Sequence, residues 1–364
     1  EMCARIGLTT GVGLAANIKR HYSKKILYIC TLLLLLANVF NIGANLGAMA
    51  KSTQLVFPGV NFIFLVLGFA ILSLCLQVFI PYKQYSKYLK YLALVLFAYV
   101  FTAFSVAINW GDVFKHLIIP TISFSKDEII LICAVFGTTI SPYLFFWQTS
   151  QEVEEQVLKG EKTEEMRRAL NTNKDIHKMR IDVWSGMFFS NIIMFFIIAT
   201  SAAVLFGNGI TNIATAADAA LALRPFAGDF AFILFAIGIV GVGLLAIPIL
   251  AGSASYAMSE TFDWKNGLYR KLKQATSFYG VITVAMVLGI ILNFIGLDPI
   301  KTLIYSAVFN GIISPIILFF IVRISANEEI MGNFKNKRLT NIIGWFTVGL
   351  LFIVSLTTIV FILK

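Results

Sequence analysis

A membrane-length apolar run between residues 127 and 158 is interrupted in its middle by Gly137, Ser141 and Pro142. Glycine and proline this close together disfavour a continuous helix, because glycine costs backbone entropy and proline lacks an N–H donor and clashes with the preceding turn. Inside a bilayer, the backbone groups that such a break frees are tolerated only where they are buried in protein or line a cavity. The run therefore predicts either a discontinuous membrane helix that presents carbonyl and hydroxyl oxygens to an ion, or a proline-kinked helix without a ligand.

Nine apolar stretches are long enough to span a bilayer, which takes about 20 residues. Only 13% of the residues are charged, against roughly 25% in soluble domains. We therefore predict an all-α polytopic membrane protein in which residues 1–364 form a single transmembrane domain. The nine stretches are residues 26–50, 58–80, 88–109, 129–150, 183–207, 230–257, 274–297, 302–322 and 339–363.

The net charge of +10 is distributed as a topology signal and does not indicate a nucleic-acid partner. Most Lys and Arg residues lie in alternate polar segments, which is the positive-inside pattern. It places the N-terminus in the cytoplasm and the C-terminus outside a cell membrane, with lipid as the surrounding partner. Segments 1–25 and 151–181 are predicted to be cytoplasmic loops, the second of them partly helical. Twenty-three of the 29 basic residues lie in segments 1–25, 81–90, 151–180, 258–273 and 323–338.

Few residues in the chain suit enzyme chemistry. The four cysteines are scattered singly and three lie in apolar runs, so packing is predicted and neither a disulfide framework nor a zinc site. The three histidines lie in loops, and neither an enzyme nor a bound cofactor is expected. Ionisable residues inside membranes usually mark ion pathways, yet the inner parts of the nine spans contain none. Because the chain also begins with Glu1, we predict that the sequence lacks an N-terminal part that carries a charged site.

Four segments resemble one family. The opening residues Glu1 to Leu14 are similar to the segment after the second span of NRAMP-type divalent-metal transporters. Residues Gly137 to Tyr143 stand where that family carries its sixth-span metal motif, A-x-x-M-P-H-N. Residues Leu245 to Glu260 and Tyr305 to Pro315 resemble the eighth and tenth spans. The resemblance covers essentially the whole chain and matches its nine spans to the family's third to eleventh.

The resemblance implies a partial LeuT-like inverted-repeat fold, in which the first and sixth spans are both broken at the metal. It implies transport of a divalent cation, namely Mn²⁺, Mg²⁺ or Fe²⁺, by a monomer. The first-span half of the site, with its D-P-G-N motif, is absent from this sequence. The chain is therefore expected to be an N-terminally truncated form that does not transport alone.

The metal ligands implied by the resemblance are Thr138, Ser141 and Asn310. Thr138 stands at the motif alanine, which offers its backbone carbonyl, and Asn310 stands at a glutamine of the tenth span. Ser141 places a hydroxyl where the family has a thioether. Oxygen ligands suit Mg²⁺ and Mn²⁺, whereas thioether sulfur favours softer metals, and this loss resembles the magnesium-transporter branch. Alternatively, Thr138 and Ser141 only bond freed carbonyls, and Asn310 only links helices.

Proton coupling is expected to be weak or absent. Two family histidines are replaced by Tyr143 and Gln148, and asparagines fill the third-span region where the family carries acids. None of these side chains titrates near neutral pH. Two other functions stay open: a LeuT-like carrier of an amino acid or other organic substrate, bound through exposed N–H groups, and a non-transporting scaffold. The residues predicted to line the pathway or support the ligands are Thr139, Tyr143, Gln148, Asn38, Asn41 and Asn45.

Overall fold

The computed structural model of the protein describes residues 1–80, 91, 94–213, 215–296 and 298–363. Within these residues the secondary structure is helical, and no β-strand is present. One-turn helices also occur at Ala216–Ala220, Arg224–Ala227 and Glu328–Met331. The main helices are α1 (Met2–Thr10), α2 (Leu14–His21), α3 (Lys24–Val56), α4 (Phe62–Phe79), α5 (Phe97–Ser105), α6 (Trp110–Ile118), α7 (Lys126–Thr139), α8 (Pro142–Leu158), α9 (Glu164–Ala169), α10 (Asn173–Val204), α11 (Ala231–Thr261), α12 (Thr276–Leu292), α13 (Pro299–Ala326) and α14 (Arg338–Leu363).

The predicted membrane spans have helical counterparts in the described part of the chain. Seven spans, with α7 and α8 taken together, are long and apolar enough to cross a membrane, and the bent pair α5–α6 raises the number to eight. Helix α12 has 17 residues and is therefore about 26 Å long, slightly short of a hydrocarbon core of about 30 Å. Part of the predicted span 88–109 lies outside the described residues. The all-α, multi-span fold class is confirmed, although the strict count falls below nine.

Several spans begin at a capping side chain. Asn61 accepts a hydrogen bond from the Ile63 backbone N–H at 2.8 Å. Asp298 accepts from the N–H groups of Ile300 and Lys301 at 2.9 and 3.1 Å. The first four N–H groups of a helix have no partner inside the helix, so these side chains replace the water that a bilayer does not supply.

Helix α3 lies at the centre of the fold and packs against α11, α12 and α13. Apolar side chains of α3, α4, α11 and α12 form the largest buried cluster, and a second cluster joins α1, α2, α3 and α13. Cys30 and Cys133 are buried, as the sequence predicts, whereas Cys75 is exposed and Cys3 of the polar opening segment is buried. Large apolar side chains on the outer faces of α4, α10 and α14 remain exposed, which is the arrangement expected where lipid covers the protein.

The interpretation of residues 1–25 as a loop is wrong in its local structure, because this segment forms helices α1 and α2. Arg5 on α1 is only 1% exposed. Its guanidinium donates to the Glu1 carboxylate at 3.1 Å, to the carbonyl of Phe334 and to the side chain of Asn336. The polar, glycine-rich composition concealed this helix pair, since its helical structure depends on burial against α8 and α13.

The charged segment 151–181 is partly helical, as predicted, since α8, α9 and α10 all extend into it. Its surface is not fully solvated: Glu154 and Gln156 are buried, and the Gln156 amide donates to a backbone carbonyl of α1 at 3.1 Å. Arg20 on α2 donates to both carboxylate oxygens of Glu164 at 2.5 and 2.8 Å. This hydrogen bonding holds the pKa of the Glu164 carboxyl below its ordinary value. The segment therefore packs against the N-terminal helices.

Candidate functional site

The predicted break in the fourth span is confirmed. Helix α7 ends at Thr139 and α8 begins at Pro142. Between them, Ile140 has φ −114° and ψ 65°, and Ser141 is extended, with φ −86° and ψ 133°. Because Pro142 has no N–H group, the Thr138 carbonyl has no helical partner four residues later. Two residues therefore leave the helical conformation between α7 and α8, and whether this break holds a ligand stays a prediction.

The hydroxyl of Ser141 lies against the carbonyls that the break releases. Its Oγ is 2.6 Å from the Gly137 carbonyl oxygen and 3.1 Å from that of Thr138, and the residue is 1% exposed. These are the hydrogen bonds expected if Ser141 only bonds the carbonyls that the break frees. A hydroxyl carries one hydrogen and two lone pairs, so it satisfies one of these carbonyls at a time and keeps a lone pair for a cation.

Helix α13 places further polar side chains beside the break. Ser314 Oγ donates to the carbonyl of Ile140 and lies 2.7 Å from the carbonyl oxygen of Asn310. Asn310 is 2% exposed, and its side-chain Oδ1 is buried without a hydrogen-bond partner among the described residues. An interhelical link through this oxygen would need such a partner. Sequence reasoning missed Ser314, whose only signal is its position directly before Pro315.

Two glycines bring α7 and α13 into backbone contact. A Cβ atom on Gly137 would lie 1.9 Å from the Ala307 carbonyl oxygen, and one on Gly311 would lie 2.4 Å from a carbonyl oxygen of α7. Any side chain at either position would force the helices apart. Pro315 removes the helical donor for the Gly311 carbonyl, and Ser355 of α14 supplies a replacement at 2.9 Å. The break is therefore held tightly by both neighbouring helices.

The two threonines before the break direct their hydroxyls backward. Thr138 Oγ1 and Thr139 Oγ1 lie 2.9 and 2.7 Å from the carbonyl oxygen of Val135. The Thr138 side chain is exposed, so only its backbone carbonyl faces Ser141. Thr139 Oγ1 is also 3.9 Å from the sulfur of Met194 on α10. Sequence reasoning missed this thioether, because Met194 is 55 residues from Thr139 in the chain.

The α3 asparagines lie at the interface with α11. The Asn38 amide donates to the Leu250 carbonyl at 2.9 Å and to Ser253 Oγ at 2.7 Å. The Asn45 amide donates to the Asn41 carbonyl on its own helix at 2.8 Å. Asn38 thus links α3 to α11, whereas the Asn45 bond stays within α3. Asn38 Oδ1 and Asn41 Nδ2 are nevertheless buried without a partner within the described residues.

On the C-terminal side of the break, α8 carries Tyr143 and Gln148. Tyr143 packs against both large apolar clusters, which supports a core role for this aromatic side chain. The Gln148 amide donates to the Glu152 carboxylate at 2.9 Å. Gly252 of α11 lies under the Trp147 ring, since a Cβ there would be 2.5 Å from a ring carbon. Gly252 thus lets α8 and α11 pack closely together.

Two carboxylates, the buried Glu154 and the half-buried Glu260, lie where α8 meets the end of α11. Glu154 accepts hydrogen bonds from the Tyr256 hydroxyl and from the Leu268 N–H at 3.0 Å. Glu260 accepts from Ser150 Oγ at 3.1 Å and from a backbone N–H of α2 at 3.1 Å. Both line a cavity of about 190 Å³. The sequence did not reveal these groups, because each stands at the polar end of an apolar stretch.

Oxygen acceptors outnumber donors around the break. The carbonyls of Gly137, Thr138 and Ile140 share the hydroxyl hydrogens of Ser141 and one other serine, and the amide oxygen of Asn310 has no hydrogen-bond partner among the described residues. Helix α7 also directs its partially negative C-terminus at the break. Across the described residues, no group of three or more His, Cys, Asp and Glu side chains is placed to hold a metal. The site is thus a cluster of neutral oxygens that suits a hard cation.

Comparison with protein families and curated proteins identifies the family of this chain and some of its relatives. The Nramp family model, described as natural resistance-associated macrophage protein-like, matches residues 1–361. The divalent metal cation transporter MntH of Klebsiella pneumoniae subsp. pneumoniae is 24% identical over 365 residues, 96% of this chain and 79% of that protein. The transporter of the same name from Caldanaerobacter subterraneus subsp. tengcongensis is 27% identical over 255 residues. That match covers 69% of this chain and only 55% of the relative.

Solved structures with the same fold include a manganese transporter from Eremococcus coleocola. A mutant of it superposes with a TM-score of 0.74 at 18% identity, covering 98% of this chain and 75% of that one. Its complex with an aromatic bis-isothiourea compound gives 0.72 at 20% identity, with 98% and 76% covered. At these identities the likeness establishes the fold, and it confirms the expected LeuT-like transporter architecture.

Proposed function

The chain belongs to the Nramp family, and from this premise we propose that it binds a divalent metal cation at the α7–α8 break, as part of a protein that transports the ion across the membrane. The observation that carries the proposal is the excess of buried oxygen acceptors at the break. A divalent cation satisfies several such acceptors at once, whereas a carboxylate substrate would need donors. Pro142 removes one of the few N–H donors at the start of α8. The alternative of an organic, amino-acid-like substrate is therefore not favoured.

The proposed ligands are the Thr138 carbonyl, Ser141 Oγ and Asn310 Oδ1. Carbonyl and hydroxyl oxygens are ligands that Mg²⁺ and Mn²⁺ accept readily, whereas softer metals gain more from sulfur. The proposed site is thus selective for hard over soft cations at Ser141. The nearby Met194 thioether, 3.9 Å from the Thr139 hydroxyl, is a sulfur whose contribution needs a separate test.

Replacing the Ser141 hydroxyl by a thioether tests this ligand set. In the Ser141→Met variant we expect the ratio of Cd²⁺ to Mg²⁺ affinity to rise by about tenfold, equivalent to about 1.4 kcal/mol, because sulfur binds the softer ion better. Isothermal titration calorimetry of the purified protein with each ion measures this ratio. Unchanged selectivity would mean that Ser141 does not touch the ion.

The matched control is Met194→Leu, which removes the other sulfur near the break without changing the oxygen ligands. We expect it to leave Mg²⁺ affinity unchanged. A loss of Cd²⁺ affinity in this variant would assign the residual soft-metal binding to Met194. Gly186→Ala on the same helix, where an added Cβ meets nothing within 4 Å, serves as a control for general damage to α10.

We also propose that transport is not tightly coupled to protons. The inside-negative potential favours entry of a divalent cation by roughly 4–5 kcal/mol per 100 mV, so uptake needs no proton gradient. In reconstituted vesicles with a clamped potential, Mn²⁺ uptake should not acidify the lumen. Acidification that scales with metal flux would contradict this expectation. The Glu154→Gln and Glu260→Gln variants would then show whether either carboxylate carries the proton.

Location and assembly complete the proposal. We infer a multi-pass protein of the cell membrane, with residues 1–25 on the cytoplasmic side and the C-terminus outside, from the distribution of basic residues and the positive-inside rule. We further propose a monomer, because the candidate ligands all come from one chain. Cysteine-accessibility labelling from each side of intact cells tests the orientation, and mass photometry of the purified protein tests the assembly state.

A further inference from the structure

Helix α6 (Trp110–Ile118) has an apolar stripe that is largely exposed. It follows α5 after a bend of 114°, and no residue in it is buried. Its apolar residues recur with helical spacing and form one face, while the charged residues Asp112 and Lys115 lie on the other. The stripe consists of Trp110, Val113, Phe114, Leu117 and Ile118.

The stripe continues the membrane-facing surface of the neighbouring helices. The Trp110 ring lies 5.9 Å from the ring of Phe104 on α5 and 6.3 Å from that of Phe196 on α10. Phe104 is 69% exposed, and along the stripe Phe114 and Ile118 are 55% and 79% exposed. Exposed apolar area of this kind is costly in water, at roughly 25 cal/mol per Å². The continuity with an apolar, span-bearing surface identifies lipid as the covering phase.

Two features exclude α6 from the hydrocarbon interior. Its polar face carries Asp112 and Lys115, and charged side chains are expensive at the centre of a bilayer. Residues 119–125, which follow α6, are irregular and largely exposed, and lipid-exposed irregular backbone does not occur in the hydrocarbon region. Helix α6 is turned by 114° from α5 and is apolar on one face and charged on the other. Such a helix fits the boundary between lipid and water.

We propose that α6 is an interfacial helix that lies in the plane of the membrane, with its apolar stripe inserted into the lipid headgroup and acyl boundary. Such helices reach about 5–10 Å below the headgroups, and tryptophan is enriched at this level. The positive-inside pattern places α6 on the outer leaflet. Because α7 begins at Lys126, eight residues after α6 ends, an anchored α6 sets the depth at which the broken helix enters the bilayer. This inference does not depend on the identity of the transported ion.

Site-directed spin labelling in phosphatidylcholine vesicles tests this inference. Labels are placed by Phe114→Cys and Ile118→Cys on the stripe and by Asp112→Cys and Lys115→Cys on the polar face. The background protein has its four native cysteines replaced by alanine. Ile71 is 62% exposed on the membrane span α4, and Asp263 has a side chain 82% exposed beyond α11. Cysteines at these two positions provide lipid and water references.

We expect the ratio of oxygen to water-soluble nickel chelate accessibility to be about threefold or more higher on the stripe than on the polar face, because the apolar face sits in the acyl boundary. The stripe ratio should fall between those of the lipid and water references. Circular dichroism and size-exclusion chromatography confirm that each labelled protein is folded. Quenching of tryptophan fluorescence by brominated lipid, reduced by Trp110→Phe in the native-cysteine protein, provides an independent measurement.

Three results would overturn the proposal. Nickel accessibility at all four α6 positions equal to that of the Asp263 reference would show a helix free in water. A ratio of oxygen to nickel-chelate accessibility at all four positions that equals the ratio at the Ile71 reference would show a re-entrant helix inside the bilayer. Exclusion of both reagents from Phe114 and Ile118 would show that protein, either a second copy or another segment, covers the stripe.

Discussion

Adding a single methyl group at Gly137 is expected to disable the site. In the Gly137→Ala variant the new Cβ would lie 1.9 Å from the Ala307 carbonyl oxygen and 2.4 Å from the Gly311 nitrogen. Both are backbone atoms of α13 and cannot rotate away, so α7 and α13 must separate and the Ser314 bond to the Ile140 carbonyl is lost. We expect destabilisation of about 2 kcal/mol or more and loss of Mn²⁺ binding, measured by thermal unfolding in detergent and by calorimetry.

The matched control for this variant is a glycine that also lies within a membrane helix but has free space. An added Cβ at Gly280 of α12 meets no atom within 4 Å. Gly280→Ala should therefore be neutral or slightly stabilising, since alanine favours the helix by about 1 kcal/mol over glycine. If Gly137→Ala unfolds and binds Mn²⁺ like Gly280→Ala, the close backbone contact between α7 and α13 does not exist in the protein.

The second large effect is expected at Asn310. A role as a metal ligand and a role in linking helices predict opposite effects of replacing this residue on stability and on Mn²⁺ affinity. Its Oδ1 is buried without a partner among the described residues, and an unsatisfied buried polar group costs about 1–3 kcal/mol. Asn310→Leu should therefore leave the free energy of unfolding unchanged or raise it. If Oδ1 is a metal ligand, the same variant should lose about tenfold or more in Mn²⁺ affinity, equivalent to about 1.4 kcal/mol.

The contrasting variant is Ser355→Ala. Ser355 donates to the Gly311 carbonyl at 2.9 Å, which Pro315 leaves without its helical donor. This variant should lower stability by about 1 kcal/mol with Mn²⁺ affinity preserved. Unfolding and calorimetry on both proteins separate the two roles. A destabilised Asn310→Leu protein with normal Mn²⁺ affinity would make Asn310 a helix-linking residue and remove it from the proposed ligand set.

The membrane spans and the break in the fourth one were predictable because their causes are local. A bilayer requires long apolar helices whatever their neighbours, so hydropathy located the helices that became α3, α4, α10, α11, α13 and α14. The break followed from glycine and proline chemistry within six residues, 137–142. The helical structure of residues 2–21 was missed, since its polar sequence becomes helical through burial of side chains such as Arg5 against distant segments.

By itself, the sequence therefore determined the fold class, the position of the break and the residue types around it. Only the tertiary structure decided what those residues do. It turned the Thr138 hydroxyl away from the break and brought Ser314 against the carbonyl of Ile140 from 174 residues away. It also left Asn310 Oδ1 buried and without a hydrogen-bond partner among the described residues. The physical reason is that backbone breaks are set by neighbours in the chain, whereas hydrogen bonds that satisfy or spare an acceptor depend on which helices pack together.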